Sequence, residues 1–565
     1  MRLVAGTIFF AAGAASENKF ASKSPLAVKS VVFRKSRRFI IAGKGKNLSF
    51  AVQIEICLWQ ISICRKANAD LEFLPMKYIS TRGIAPEVTS TEALLNGIAP
   101  DGGLYVPVEI PSNDALPNWL EPDCDYAGTM RKLLALFFDD IPENVRNAAV
   151  ERSVARFANP AVPVPFNPVC DNVVFMDLAQ GPTAAFKDVA LTILPTLLQY
   201  AAEQAGLKKA AILTATSGDT GSAAMRGFAG VAGTEVLVFF PKTGTSEIQR
   251  RQMVCCEGGN VHACAIEGNF DDAQAGVKAV FADEKIRADA AAKGIFLSSA
   301  NSINIGRLFP QVCYYLMAWR QLHFSCVLGE GGFDVVVPTG NFGNILAAFY
   351  AKKLGAPIRR FIVASNENNV VAEFIKTGVY DTHRAFKITN SPSMDILVSS
   401  NIERFIFEIS GRDAAWTRES MAALKASGVF KFDEKQLDAA RDAGFDSGFA
   451  TQEETEAAIA EIRRDAAYFA DPHTAIGWKV LRELGGRGSV SAVIAETAAP
   501  WKFPATMLRA LTGSCGNDDF ENLKKLGELA GQTPRFGELE AAPVLHDLVC
   551  AKDRVGETVR QVFGV

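Results

Sequence analysis

Apolar residues are grouped along this chain in short unbroken runs, separated by longer stretches where they return every three or four positions. The runs at 172–178, 210–216, 235–240, 261–266, 334–339, 360–364 and 492–495 read as strands buried on both faces. Between them, Phe270, Ala273, Val277 and Val280 recur at helical spacing and predict a helix over 271–282. Further helices are predicted over 189–205, from Ser222 onward, and over 345–354, with an exposed Glu-rich one over 452–464. The alternation predicts an α/β architecture of parallel sheets with helices on both faces, running from 159 to 511. Ahead of it, 76–158 reads as a small, mainly helical N-terminal domain whose clearest helix is 130–138. Behind it, 512–565 turns polar and reads as a C-terminal extension without chemistry.

Composition narrows the class. A chain of 565 residues exceeds one ordinary core, so two or more domains are expected, and 48% hydrophobic residues can fill them. A net charge of −3 leaves no basic surplus to attract nucleic acid. The eleven cysteines have neither CxxC pairs nor zinc-type histidine spacing, so no metal is expected. No apolar run reaches the ~18 residues that span a bilayer, and a reduced cytoplasmic protein is the expectation. Residues 1–75 stand apart as a leader: residues 1–50 carry ten Lys/Arg against the single acid Glu17. Three readings of it stay open: an organellar transit peptide (mitochondrion or plastid), a short secretory signal, or an extension foreign to the natural protein, with Met76 as initiator.

Candidate chemistry centres on Gly181-Pro182-Thr183-Ala184-Ala185-Phe186-Lys187-Asp188, where a lysine sits at a turn-to-helix junction. A lysine amine attacks carbonyls only when burial or a neighbouring cation disfavours its charged form; alone, this stretch reads equally as a solvated lysine. Two strand–loop–helix units change that balance. The run at 210–216 leads into Ser217-Gly218-Asp219-Thr220-Gly221, and the run at 334–339 into Gly340-Asn341-Phe342-Gly343-Asn344. Each places backbone N–H groups at a helix N-terminus, where anions bind. With the lysine they suggest a phosphate-bearing cofactor in one loop and a substrate carboxylate in the other.

These stretches resemble the motifs of the threonine synthase family, which is pyridoxal-phosphate dependent and of the fold type II (tryptophan-synthase-β) class. The resemblance extends in order from about Met76 to Leu511 through KYISTRG at 77–83, DGGLYVP at 101–107, SEIQRRQM at 246–253, NSIN at 301–304, SPSMD at 391–395, DPHTA at 471–475 and ETAAPWKFP at 496–504. It favours the longer fungal and enterobacterial type. It implies two open parallel-sheet subdomains and conversion of O-phospho-L-homoserine and water to L-threonine and phosphate. Lys187 is then the cofactor lysine and general base. Gly340, Asn341, Phe342, Gly343 and Asn344 hold the cofactor phosphate, and Thr497 faces the pyridine nitrogen. Ser217, Gly218, Asp219 and Thr220 hold the substrate carboxylate, with Asp219 near the cofactor's phenolic oxygen.

Arg250 and Arg251 are the candidates for the substrate phosphate, because guanidinium forks match phosphate oxygens. Asn301, Ser302 and Asn304 complete that pocket. His473 reads either as a pocket residue or as a buried histidine bonded to backbone. Two departures stand out: Ala499 where the family type usually carries histidine, and Asn344 where some members carry aspartate. Monomer and homodimer stay open. The alternatives are a related serine/threonine dehydratase or threonine-synthase-like phospholyase, which would not need the arginines, and a silent scaffold, which would not need Lys187. A nucleotide-binding module is disfavoured, since no GxxxxGK[ST] or GxGxxG follows a strand. A chain begun at Met76 is expected to be soluble and to turn over O-phospho-L-homoserine at the full-length rate. A large loss of rate in the soluble truncated protein would count against a dispensable leader.

Overall fold

Three short strands open the N-terminal region: β1 (Lys77–Ser80), β2 (Val88–Thr89) and β3 (Tyr105–Pro107). They pair antiparallel in the order β2-β1-β3, so a region expected to be mainly helical begins on a sheet. Elements of two to four residues are too short for a period-two signal. Helices Ser90–Asn96, Tyr126–Phe137 and Glu143–Val154 follow. The helix expected at 130 starts earlier because the Asp125 carboxylate accepts from Gly128 N–H at 2.7 Å and caps it. The computed structural model describes residues 75–111, 116–170, 172–485 and 490–565, so the leader up to residue 74 lies outside the described residues.

The remaining strands are, in chain order, β4 (Phe166–Cys170), β5 (Val173–Asp177), β6 (Lys209–Ala215), β7 (Thr234–Pro241), β8 (Val261–Glu267), β9 (Ile295–Ser299), β10 (Phe333–Pro338), β11 (Ile358–Ser365), β12 (Val379–Asp381), β13 (Val429–Lys431), β14 (Phe445–Phe449), β15 (Ser491–Glu496) and β16 (Leu548–Ala551). One sheet has the order β14-β11-β10-β15-β5-β4 and is parallel except for β4, which lies antiparallel on β5. The other, β16-β8-β7-β6-β9, is parallel throughout. All seven strands read from the apolar runs are present to within two residues. β14 escaped notice because its sequence FDSGF is poor in strand formers, and β4 because it carries a proline, tolerated on an edge.

Two helical expectations change. The run at 189–205 divides into Asp188–Leu191 and Leu194–Gln204. Pro195 lacks the N–H that would continue the ladder, and the Thr192 hydroxyl bonds back to the Asp188 carbonyl at 2.7 Å. The helix expected to be exposed at 452–464 spans Gln452–Ala466 and buries Thr455, Ala458, Ile459 and Ile462 on one face.

The C-terminal segment is part of the body. β16 lies in parallel register on β8, and the helix Val555–Phe563 buries Val555, Val559 and Phe563 in the apolar cluster that holds Ala273 and Val277. Arg251 fastens the connection: its guanidinium donates to the carbonyls of Leu539 (2.8 and 2.6 Å), Glu540 (2.9 Å) and Ala542 (2.7 Å). Among the described residues no helix is long and apolar enough to cross a membrane, and no His/Cys/Asp/Glu group of three or more could hold a metal ion. Phe563→Ala is expected to lower the unfolding free energy by about 3 kcal/mol, the usual cost of a buried phenyl cavity. Denaturant melts check this, and an unchanged midpoint would mean that the terminal helix does not stabilise the body.

Candidate active site

The chemistry gathers at the carboxyl ends of the strands, where open parallel sheets place their loops. After β5 the chain makes a tight loop to Lys187, and buried Asp188 holds that loop. Its carboxylate accepts from Thr183 N–H at 2.9 Å and from the Thr183 hydroxyl at 2.7 Å. The loop is stitched to the one that follows β15: Phe186 N–H donates to the Thr497 carbonyl at 2.9 Å, and Ala499 N–H to the Ala184 carbonyl at 3.1 Å. Ala184 adopts φ 54°, a left-handed conformation costly for a residue with a Cβ and held by these bonds. Lys187 and Thr497 are thereby fixed against each other.

Lys187 Nζ meets a carboxylate oxygen of Asp219 at 3.2 Å. The same carboxylate accepts from Ser393 Oγ at 2.7 Å, Gln249 Nε2 at 2.8 Å and Lys502 Nζ at 2.6 Å. Burial opposes the charge on Asp219, but Lys187 and Lys502 outweigh it and hold its carboxyl well below the ordinary range. Burial lowers the Lys187 amine; Asp219 pulls it up, Lys502 pushes it down again, and the net direction is downward. His473 is both things the sequence allowed. It faces the pocket, its Nδ1 donates to Asp471 at 2.7 Å, and its Nε2 accepts from Ser393 N–H at 3.3 Å.

The loop after β6 starts the helix Asp219–Phe228. Gly218 there has φ 148°, and a Cβ would come within 2.7 Å of the Gln249 amide, so only glycine lets the chain turn this close. The loop after β10 starts the helix Gly343–Lys353, with Phe342 left-handed at φ 61°. Its backbone is braced from outside: Ser399 Oγ donates to the Gly340 carbonyl at 2.9 Å, and Asn401 N–H to the Asn341 carbonyl at 3.1 Å. Asn344 accepts from the hydroxyls of Tyr314 (2.9 Å) and Tyr315 (2.5 Å).

Lys187, Ser217, Asp219, Thr220, Asn301, Ser302, Gly340, Asn341, Phe342, Gly343, Asn344 and Thr497 line one pocket. Gly218 serves beneath it as the turn. Three expectations are corrected. Arg250 is bound to Glu247 by two bonds of 2.6 Å, Arg251 is spent on the C-terminal carbonyls, and neither lines the pocket. Asn304 is buried in structural work, donating to the Leu94 carbonyl at 2.8 Å and accepting from Gly306 N–H at 2.9 Å. In SEIQRRQM it is Gln249 that reaches the site, by way of Asp219.

The pocket's own guanidinium is Arg307, which the sequence reading missed. It is 2% exposed, lines the pocket, donates from one terminal nitrogen to the Ala300 carbonyl, and has an Nε without a partner among the described residues. Burial pushes it down to about 10. The available signal was its place in the otherwise apolar stretch Ile305–Phe309, one turn beyond NSIN.

Pyridoxal phosphate fits these residues. Asn344 Nδ2 is a buried polar atom of a pocket-lining residue without a partner among the described residues, and Gly340 and Gly343 of the second loop line the same pocket. Lys187, only 11% exposed, lines the same pocket as Thr497 and would take the aldehyde.

The chain matches the family models described as "Threonine synthase N terminus" over residues 77–154 and "Pyridoxal-phosphate dependent enzyme" over 158–495. A threonine synthase of Pseudomonas aeruginosa is 39% identical over 445 residues, 78% of this chain and 91% of the relative. The human protein called threonine synthase-like 1 is 33% identical over 500 residues, 85% of this chain and 65% of the relative. The crystal structure of pyridoxal-phosphate-bound threonine synthase from Brucella melitensis aligns with a TM-score of 0.75 at 37% identity, covering 87% of this chain and 100% of that one. With both models matched in order and the glycine loops, buried lysine and Thr497 in one pocket, the chain belongs to the threonine synthase family of pyridoxal-phosphate-dependent enzymes.

Proposed function

We propose that the chain converts O-phospho-L-homoserine and water to L-threonine and phosphate. The observation that carries this reading is the pairing, in one pocket, of a buried lysine whose charged form is disfavoured with a buried guanidinium that has donor capacity to spare. When bound, pyridoxal phosphate supplies the electron sink that makes protons at Cα and Cβ removable. Lys187 would hold the cofactor aldehyde and, as a free amine, would move protons at Cα and Cβ. The N-terminus of the helix Asp219–Phe228, with Ser217 and Thr220, orients the substrate carboxylate. The loop Gly340–Asn344, leading into the helix Gly343–Lys353, would hold the cofactor phosphate. Thr497 would offer its hydroxyl to the ring nitrogen without forcing a proton onto it.

The leaving group needs its own cation. As the Cγ–O bond breaks, charge gathers on the phosphate, and a dry guanidinium stabilises it more than it stabilises the bound ester. Arg307 takes this place in the reading, with Asn301 and Ser302 beside it. Water then adds its hydroxyl at Cβ and a proton reaches Cγ, giving the methyl group of threonine.

The test is to incubate the full-length, cofactor-loaded protein with O-phospho-L-homoserine and follow phosphate and threonine together. Equal amounts of both are expected. Phosphate without threonine would replace the reading by a phospholyase. Arg307→Met is expected to lower kcat/KM by about 10²-fold or more, the size of a lost charge-assisted contact worth roughly 3 kcal/mol. Arg250→Met and Arg251→Met, assayed on folded protein, are expected to stay within a few-fold of wild type. A selective loss in either of these two would return the phosphate site to them.

A further inference from the structure

Lys502 is a lysine in which neither burial nor bonding is incidental. Its side chain is fully enclosed, and its Nζ has two acceptors: Asp219 at 2.6 Å and the Thr183 carbonyl, in the loop that carries Lys187, at 2.9 Å. The residue itself is held, since its carbonyl accepts from Ser246 Oγ at 3.0 Å. Asp219 therefore bridges two lysines. One carboxylate oxygen takes Lys502 and Gln249, and the other takes Lys187 and Ser393. All four partners come from different segments of the chain.

A fully buried lysine is expensive unless it does something. Among the charged groups that face this cluster, the cations are Lys187, Lys502 and Arg307. The anions are Asp219 and Asp188, and burial pushes the Asp188 carboxyl up, against ionisation. His473 also faces Asp219. In so dry a place one ionised carboxylate compensates one ammonium group, which favours the loss of a proton from one of the two lysines. Geometry decides which: Asp219 is nearer to Lys502, at 2.6 Å, than to Lys187, at 3.2 Å, and only Lys502 has a second acceptor in the Thr183 carbonyl.

We propose that Lys502 is a positioning residue that occupies Asp219 as its resident cation and so leaves the Lys187 amine unprotonated and free to bond a carbonyl. The proposal rests on the reading of Lys187 as the cofactor lysine. Lys502 does not line the pocket; it acts through Asp219 and through its own charge. Once Lys187 is engaged, Asp219 keeps a counter-ion and the buried charge stays balanced.

The experiment measures the rate at which full-length, cofactor-stripped chain captures pyridoxal 5'-phosphate as a function of pH, with borohydride trapping and peptide mapping to identify the modified lysine. In the wild type, capture on Lys187 is expected with a half-point at least about one unit below the ordinary lysine value of about 10.4. Lys502→Gln retains amide donors for Asp219 and Thr183 but removes the charge. It is expected to move the half-point up by about one unit or more and to slow capture about tenfold at neutral pH. Lys502→Arg restores the charge and is expected to return the half-point toward wild type. A purely structural role would change melting temperature and leave the half-points equal, and that result would overturn the proposal. An ordinary half-point for Lys187 in the wild type would overturn it as well, whatever the variants do. Capture on another lysine would instead sink the cofactor reading, and the peptide map tells the two failures apart.

Discussion

The carboxylate of Asp219 is the constraint around which the site is assembled. A charge this deeply buried is tolerated only if each oxygen is fully bonded, because desolvation would otherwise drive it to protonate. Here the donors are Lys187, Ser393, Gln249 and Lys502. They arrive from the loop after β5, the loop 389–396, the helix Glu247–Val254 and the turn after β15. Asp219 itself stands at the end of β6, in the other sheet. One satisfied carboxylate thus ties strand ends of both sheets at the place where the reaction needs them.

A second set of bonds makes that arrangement stiff. Gln252 Nε2 and Lys502 Nζ both donate to the Thr183 carbonyl, and Arg535 donates to the Ala179 and Gly181 carbonyls from the C-terminal segment. Each of these cations or amides satisfies backbone groups of a buried loop that has no ladder of its own. The loop bearing the lysine is rigid for the same reason that it can be irregular: its carbonyls are answered by side chains. A site built this way tolerates little displacement, which suits chemistry that depends on sub-ångström placement.

The N-terminal region reaches the site through one fully buried arginine. Arg404 donates to the Tyr105 carbonyl in β3 (2.9 Å), to Asn401 Oδ1 (2.6 Å) and to the Ile303 carbonyl (2.6 Å). Asn401 in turn donates to the Asn341 carbonyl of the glycine loop at 3.2 Å. Thr81 and Arg82 add bonds of 2.7 to 2.9 Å to Glu403 on the same helix. The small antiparallel sheet is therefore a brace for the glycine loop Gly340–Asn344 and not an appended module.

Seven strands, the α/β class and the two glycine loops were legible in the sequence, because each depends on local physics, while Thr497 was reached only through the family resemblance. Buried parallel strands read as apolar runs, and a glycine loop between strand and helix announces its backbone shape whatever surrounds it. The errors share another cause. Arg250 and Arg251 sit in a motif and are adjacent to Gln249, yet helix geometry sends three successive side chains in three directions, and only packing decides which direction is the pocket. Arg307 and Lys502 looked like ordinary cations in apolar stretches, since burial of a charge becomes visible only when its partners, at separations of up to 319 residues, are in place. The tail after 511 looked polar because β16 and the last helix bury a single narrow stripe each. Sequence by itself determined the strands and the loops, and through the family resemblance it pointed to Lys187; tertiary structure alone decided which charges share one dry carboxylate, because that depends on distances no local pattern encodes.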